Sequence, residues 1–84
     1  MEKVIKEKNA DISARIREII EDLNLSPNAF ALKLNYKRAQ TVYDILNGKS
    51  APSYDFFNRF MLSEYSAIYS MDWLLTGRGN MYLP

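Results

Sequence analysis

The chain of 84 residues has room for one small domain, and a hydrophobic content of 48% with 25% charged residues is typical of a folded protein rather than a disordered one. It contains no cysteine, which excludes disulfides and thiolate metal sites. No apolar run approaches the roughly 20 residues that cross a bilayer, and the N-terminus lacks the apolar core of a signal peptide, so we expect a cytoplasmic protein.

The net charge of +1 is distributed unevenly along the chain. Residues 1–24 and residues 53–84 each carry a net charge of −1, whereas residues 25–52 carry a net charge of +3. The basic residues of this middle third are Lys33, Lys37, Arg38 and Lys49, and its one acidic residue is Asp44. A basic patch on a nearly neutral protein is the expected footprint of a polyanionic partner.

The first predicted helix covers residues 9–23, where apolar side chains recur at helical spacing and charged residues occupy the opposite side. The apolar positions are Ile12, Ile16, Ile19, Ile20 and Leu23. Asn9, Asp11 and Ser13 are alternative N-caps for this helix. We expect residues 1–10 to form a flexible N-terminal tail and residues 11–84 to form the domain.

The second predicted helix begins at Ser26 and ends before Asn35. Ser26 is an N-cap, and Pro27 stands at the first helical position, where its missing N–H costs nothing. Ala31 is expected to be a small packing residue in the middle of this helix. Asn35 is one of the few residues besides glycine that tolerate the left-handed conformation that closes a helix.

The third predicted helix runs from about Arg38 to Asn47, after a turn of about three residues, and Gly48 ends it. Helical geometry of 100° per residue predicts one buried apolar side and one polar side facing outward. The predicted buried residues are Val42, Ile45 and Leu46, and the predicted outward residues are Lys37, Gln40, Thr41, Tyr43, Asp44 and Asn47. Two helices joined by such a tight turn have the spacing of a helix-turn-helix.

Two further helices are predicted to begin at the N-caps Ser53 and Ser70, and the last one should stop at Gly77. The helix after Ser53 is expected to bury Phe56, Phe57, Phe60 and Met61. Four aromatic residues towards the C-terminus could line a dimer surface or complete the small core, and we favour the core. They are Tyr65, Tyr69, Trp73 and Tyr82. No stretch alternates long enough to make a strand, so the predicted fold class is all-α with five helices.

Catalysis is not expected of this sequence. It has no histidine, no cysteine, no glycine-rich phosphate loop, and no pair of carboxylates at helical spacing on an apolar side. The serines at positions 13, 26, 53 and 70 are explained as N-caps without a neighbouring base. We therefore expect no enzyme, and neither a cofactor nor a metal.

The outward side of the third helix suits the major groove of DNA, which is about 12 Å wide and accepts one helix. Glutamine can pair with adenine, threonine can offer its hydroxyl or methyl group, and aspartate can accept from cytosine N4. Basic residues at the periphery would meet phosphates. The predicted DNA-binding residues are Lys33, Lys37, Arg38, Gln40, Thr41, Tyr43, Asp44, Asn47 and Lys49. For Asp44, a local pair with Lys37 or Lys33 explains the residue as well as base reading does.

Several short motifs recur in one known family. They are Leu25-Ser26 before the second helix, Ala31 within it, "ILNGK" at residues 45–49, Pro52-Ser53, and "WLLTGRGNM" at residues 73–81. On these motifs, the chain from about Ile12 to Leu83 resembles the DNA-binding domain of lambda repressor/Cro-like (XRE-type) regulators, in particular phage-repressor-like proteins that end in WLLTGxGxM. Asn35 replaces the turn glycine of that pattern, and one extra residue lies between Ala31 and Val42.

The resemblance implies a five-helix lambda-repressor-like domain whose third helix is the recognition helix. It implies a transcriptional repressor that binds double-stranded operator DNA as a homodimer, in the cytoplasm and associated with the nucleoid. It also implies a C-terminal peptidase-like or dimerisation domain, so that this chain would be the N-terminal part of a longer protein. The alternative is an antitoxin-type module that uses the same fold to bind a protein, which would show an exposed apolar patch and no retention on DNA.

Overall fold

The computed structural model describes the backbone of residues 2–84 and the side chains of residues 10–84. Within this part of the chain, five α-helices and one short 3₁₀ helix follow one another, and no strand is present. The helices are α1 (Glu2–Asp22), α2 (Pro27–Lys33), α3 (Gln40–Leu46), α4 (Tyr54–Leu62) and α5 (Met71–Thr76), with the 3₁₀ helix at Glu64–Ala67. The predicted all-α class is thereby confirmed.

Helix α1 begins at Glu2, earlier than the start predicted between Asn9 and Ser13. Its apolar side is the predicted one, since the three central isoleucines are buried and the flanking residues pack against the core. The central residues are Ile16, Ile19 and Ile20, and the flanking residues are Ile12 and Leu23. The tail predicted at residues 1–10 falls mainly on residues 1–9, whose side chains lie outside the described residues.

Three helices start at the serines predicted to cap them. Ser26, Ser53 and Ser70 have extended backbones, and each side chain accepts a hydrogen bond from the N–H three residues further on. The nitrogen–oxygen distances are 3.1 Å for Ser26 and 3.2 Å for Ser53 and Ser70. An N-cap satisfies a backbone N–H that has no partner within the helix, so these starts are determined locally.

The core lies where α1, α2, α3 and α5 meet the aromatic residues of α4 and of the segment after it. Of the four residues predicted to be buried in α4, Phe56 and Phe60 are buried and Phe57 is half-buried. Met61 is 50% exposed, so its predicted burial was wrong. Met61 lies seven residues after Tyr54, on the side of α4 that points away from the core.

The aromatic set divides between core and surface. Tyr65 and Tyr69 are buried, Trp73 is half-buried and Tyr82 is exposed. The rings of Phe30 and Tyr65 are stacked with 5.8 Å between their centroids, which joins α2 to the 3₁₀ helix. The aromatic residues thus mainly complete the core, as predicted.

Asp22, the last residue of α1, fastens the C-terminal segment to the domain. Its carboxylate accepts a hydrogen bond from the Tyr69 hydroxyl at 2.5 Å and from the Tyr82 hydroxyl at 2.6 Å. The two tyrosine rings stack with 5.7 Å between centroids, and an isolated antiparallel bridge joins their backbones. The hydrogen bond from Tyr69, followed by that from Tyr82, lowers the pKa of Asp22, while burial and the bond to Asp22 raise the pKa of Tyr69.

Asp22→Asn should lower the melting temperature at neutral pH and reduce the loss of stability in acid. Because the folded-state pKa of Asp22 lies below its ordinary value of 3.8, the carboxylate contributes fully above that pH. The contribution disappears as the pH falls through the folded-state pKa. Thermal unfolding followed by circular dichroism, from neutral pH to about pH 2, measures this difference.

The wild type and the Asp22→Asn variant should therefore converge in melting temperature at the acid end of the series. A constant difference at every pH would contradict the assignment. Asp11→Asn is the matched control, because it removes an exposed carboxylate from the same helix without a tyrosine partner.

Candidate nucleic-acid interface

Helix α3 has the buried side that the sequence predicts. Val42, Ile45 and Leu46 are all buried and belong to the main core cluster. The helix is short, from Gln40 to Leu46, and Gly48 follows it with a φ of 78°. That left-handed conformation favours glycine and lets the chain leave α3, as predicted for this position.

The opposite side of α3 is polar and open to solvent. The predicted contact residues on it are exposed, except that Asp44 is half-buried. At 100° per residue, Gln40, Asp44 and Asn47 lie along the centre of this side, and Thr41 and Tyr43 lie at its edges. Every group on this side except the Tyr43 ring is a hydrogen-bonding group on a short side chain, which suits contact with base edges.

The turn between α2 and α3 covers residues 34–39, which is longer than the predicted three residues. Asn35 adopts the predicted left-handed conformation, with a φ of 67°. The next residue, Tyr36, donates its N–H to the carbonyl of Ala31 and packs its ring against the core. Helix α3 begins only four residues later, at Gln40. Arg38 consequently belongs to the turn, and its predicted place in the helix was wrong.

Four exposed basic residues precede or follow α3 along the chain. Lys33 ends α2, Lys37 and Arg38 lie in the turn before α3, and Lys49 follows α3. In the described part of the chain, the ion pairs involve Arg59 and Arg78 and none of these four residues. Basic residues at both ends of a polar helix, with no acidic partner among residues 10–84, can contact phosphate groups.

Arg59 of α4, which the sequence did not single out, holds the turn in place. Its Nη1 donates to the carbonyl oxygens of Leu34 at 3.2 Å and Asn35 at 2.7 Å. Its Nε donates to the Asp55 carboxylate at 2.8 Å, and its guanidinium carbon lies 4.3 Å from the centre of the Tyr36 ring. The carboxylate bond raises the pKa of Arg59. The carbonyls at the end of α2 thus receive donors from another helix. In the sequence, the i,i+4 spacing of Asp55 and Arg59 indicates an ion pair between them but not the bonds to the turn.

Two side chains of α1 hold the end of α3 from the core side. The hydroxyl of Ser13 donates to the carbonyl of Ile45 at 2.7 Å, and Nη2 of Arg17 donates to the carbonyl of Leu46 at 3.1 Å. Ser13 is only 6% exposed. Its prediction as an N-cap was wrong, because α1 already begins at Glu2. The carbonyls at the end of α3 therefore receive their hydrogen bonds from α1 on the core side, and the polar side of α3 stays exposed.

The two central residues of the polar side contact each other. The side-chain nitrogen of Gln40 donates to the Asp44 carboxylate at 2.8 Å, a contact between positions i and i+4 of α3. Asp44 has a local partner, as one of the two sequence-based explanations required, but the predicted partners Lys37 and Lys33 were wrong. The acidic group on this side is thereby oriented by a neutral neighbour.

Comparison of the chain with protein families, curated proteins and solved structures returned no match. No helix of the described residues has the length and apolar character needed to cross a membrane. The same residues contain no group of three acidic side chains arranged to hold a metal ion. The interface is therefore defined by its own geometry, a polar helix side with exposed cations at both ends.

Ser13→Ala should lower the free energy of unfolding by about 1 kcal/mol, the usual net value of one hydrogen bond. The loss stays near that value because the carbonyl of Ile45 keeps a hydrogen bond from the Gly48 N–H at 3.1 Å. Urea unfolding measures the difference. Ser50→Ala, in the exposed loop after α3, is the matched control and should change stability by less than about 0.5 kcal/mol. Equal stability of the two variants would contradict a structural role for Ser13.

Arg59→Met should lower the melting temperature and speed amide hydrogen exchange at residues 34–39, because methionine keeps the bulk of the chain but donates nothing. Arg78→Met is the matched control, since Arg78 pairs with Asp72 at 3.2 Å with 76% of its side chain exposed. Such a surface pair contributes little. Exchange rates at the turn that are the same in both variants would show that Arg59 does not hold it.

Proposed function

We propose that the chain is a sequence-specific DNA-binding domain of a transcriptional repressor, with a lambda-repressor-like helix-turn-helix formed by α2 and α3. The observation that carries the proposal is the outer side of α3, where hydrogen-bonding side chains occupy the centre and cations that form no ion pair among the described residues stand at both ends. A helix that binds in the major groove needs this arrangement, because base edges are read by hydrogen bonds at the centre and phosphates lie at the rim.

The number of cations sets the expected strength of binding. Each phosphate contact lowers the logarithm of the binding constant by roughly 0.9 for every tenfold rise in salt. With Lys33, Lys37, Arg38 and Lys49 as the phosphate contacts, a single domain binds weakly and with a strong salt dependence. Two copies on half-sites about one helical turn apart would bind more tightly and block a promoter sterically.

The outer side of α4 supports contact with another protein as well. Tyr54 is 83% exposed and Leu62 is 80% exposed, and Met61 lies on the same side of the helix. Exposed apolar residues grouped in this way mark surfaces that bind proteins. In the repressor proposal this surface serves the second copy of a homodimer. In the second candidate function, an antitoxin-type interaction module, it serves a different protein and α3 binds no DNA.

The Lys37→Ala/Arg38→Ala variant should bind duplex DNA more weakly and with a salt slope that is smaller by about 2, since each lost phosphate contact changes the slope by about 1. The DNA is a duplex enriched by selection from a random pool. Fluorescence anisotropy over a series of salt concentrations measures both quantities. Unchanged affinity and slope would show that these two residues contact no phosphate.

Two controls separate the outcomes. The charge-preserving variant Lys37→Arg/Arg38→Lys should keep the salt slope of the wild type. Arg78→Ala removes a cation that already has an acidic partner and lies after α5, so it should change the slope much less. Failure to enrich any duplex would exclude a sequence-specific DNA-binding domain and favour the interaction module.

A further inference from the structure

Gln40 and Asp44 are joined at the centre of the outer side of α3, and their bond fixes the direction of the glutamine amide. The Gln40 Nε2 atom lies 2.8 Å from Asp44 Oδ1. An ionised carboxylate can only accept, so the atom facing it must be the amide nitrogen and not the oxygen. The amide oxygen of Gln40 therefore points away from Asp44.

Both side chains keep hydrogen-bonding groups that their mutual bond does not use. Gln40 keeps one N–H and its carbonyl oxygen, and Asp44 keeps the second carboxylate oxygen, Oδ2. The pair thus offers one donor and two accepting oxygens in fixed positions. Within the described residues Asp44 has no ion pair, so its Oδ2 is open to a donor from a ligand.

The four bases differ in the hydrogen-bonding groups that their major-groove edges offer to Gln40 and Asp44. Adenine offers an acceptor, N7, beside a donor, the N6 amino group, which complements the N–H and the oxygen of Gln40. Cytosine offers the N4 amino group, which complements Asp44 Oδ2. Guanine and thymine offer acceptors at the corresponding positions, and an acceptor placed against a carboxylate leaves the charge unpaired at a cost.

We infer that Gln40 and Asp44 act as one reading unit that selects an adenine and a cytosine close together in the operator half-site. Side chains at positions i and i+4 of a helix are about 5–6 Å apart, and base pairs rise by about 3.4 Å. The two bases therefore lie one or two base pairs apart. This inference rests on the proposed function, since it specifies what the polar side of α3 reads.

The test begins with selection of binding sites from random duplex DNA with the wild-type chain. The enriched half-site should contain an adenine and a cytosine one or two base pairs apart. Duplexes with the cytosine replaced by thymine, or the adenine by guanine, should bind roughly tenfold more weakly or worse, the range expected for a lost specific base contact. Fluorescence anisotropy at one fixed salt concentration gives these ratios.

Asp44→Asn should reduce the preference for cytosine over thymine roughly tenfold, because the asparagine amide can donate to thymine O4. Gln40→Ala should reduce the preference for adenine and should also weaken the cytosine preference, because it releases the Asp44 carboxylate from its fixed position. Glu64→Gln is the control for charge, since it removes one negative charge from the 3₁₀ helix and should leave both base ratios unchanged.

The outcomes separate this inference from the proposed function. An enriched site without the adenine and cytosine, or base ratios that Asp44→Asn leaves unchanged, would overturn the reading unit while the DNA-binding domain stands. Absence of any enriched duplex would overturn both. An additive effect of Gln40→Ala and Asp44→Asn on the cytosine preference would show two independent contacts and likewise overturn the unit.

Discussion

The turn that leads into α3 depends on one guanidinium group, that of Arg59. The carbonyls of Leu34 and Asn35 come directly after α2 and have no further helical turn to supply donors. Arg59 donates to them at 3.2 and 2.7 Å. Because Arg59 lies on α4, these bonds tie the turn to that helix, and the contact with Asp55, four residues earlier on α4, orients the guanidinium. The path of residues 34–39, and with it the place of Lys37 and Arg38, follows from this arrangement.

Helix α3 is held by contacts on its core side. Its apolar residues lie in the core, and the carbonyls at its end receive donors from Ser13 and Arg17 of α1. On the outer side of the helix, Gln40 and Asp44 bond to each other rather than to the rest of the domain. A helix supported in this way can present its polar groups to a ligand without reorganisation, which lowers the entropic cost of binding.

The molecule separates two kinds of surface. The outer side of α3 is polar with exposed cations at its ends, and the outer side of α4 carries exposed Tyr54 and Leu62. Reading a nucleic acid requires the first kind of surface and association between proteins requires the second. The proposed repressor uses both, because a single domain with few phosphate contacts needs a second copy for tight binding.

The sequence by itself determined what depends on neighbours along the chain. The serine N-caps of α2, α4 and α5, the left-handed Asn35 and the buried side of α3 follow from local hydrogen bonding and helical periodicity, and these were predicted. Only the tertiary structure decided the length of the turn before α3 and the roles of Ser13 and Arg59. Their partners lie 24 to 32 residues away in the chain, and no local pattern specifies which distant carbonyl a side chain will meet.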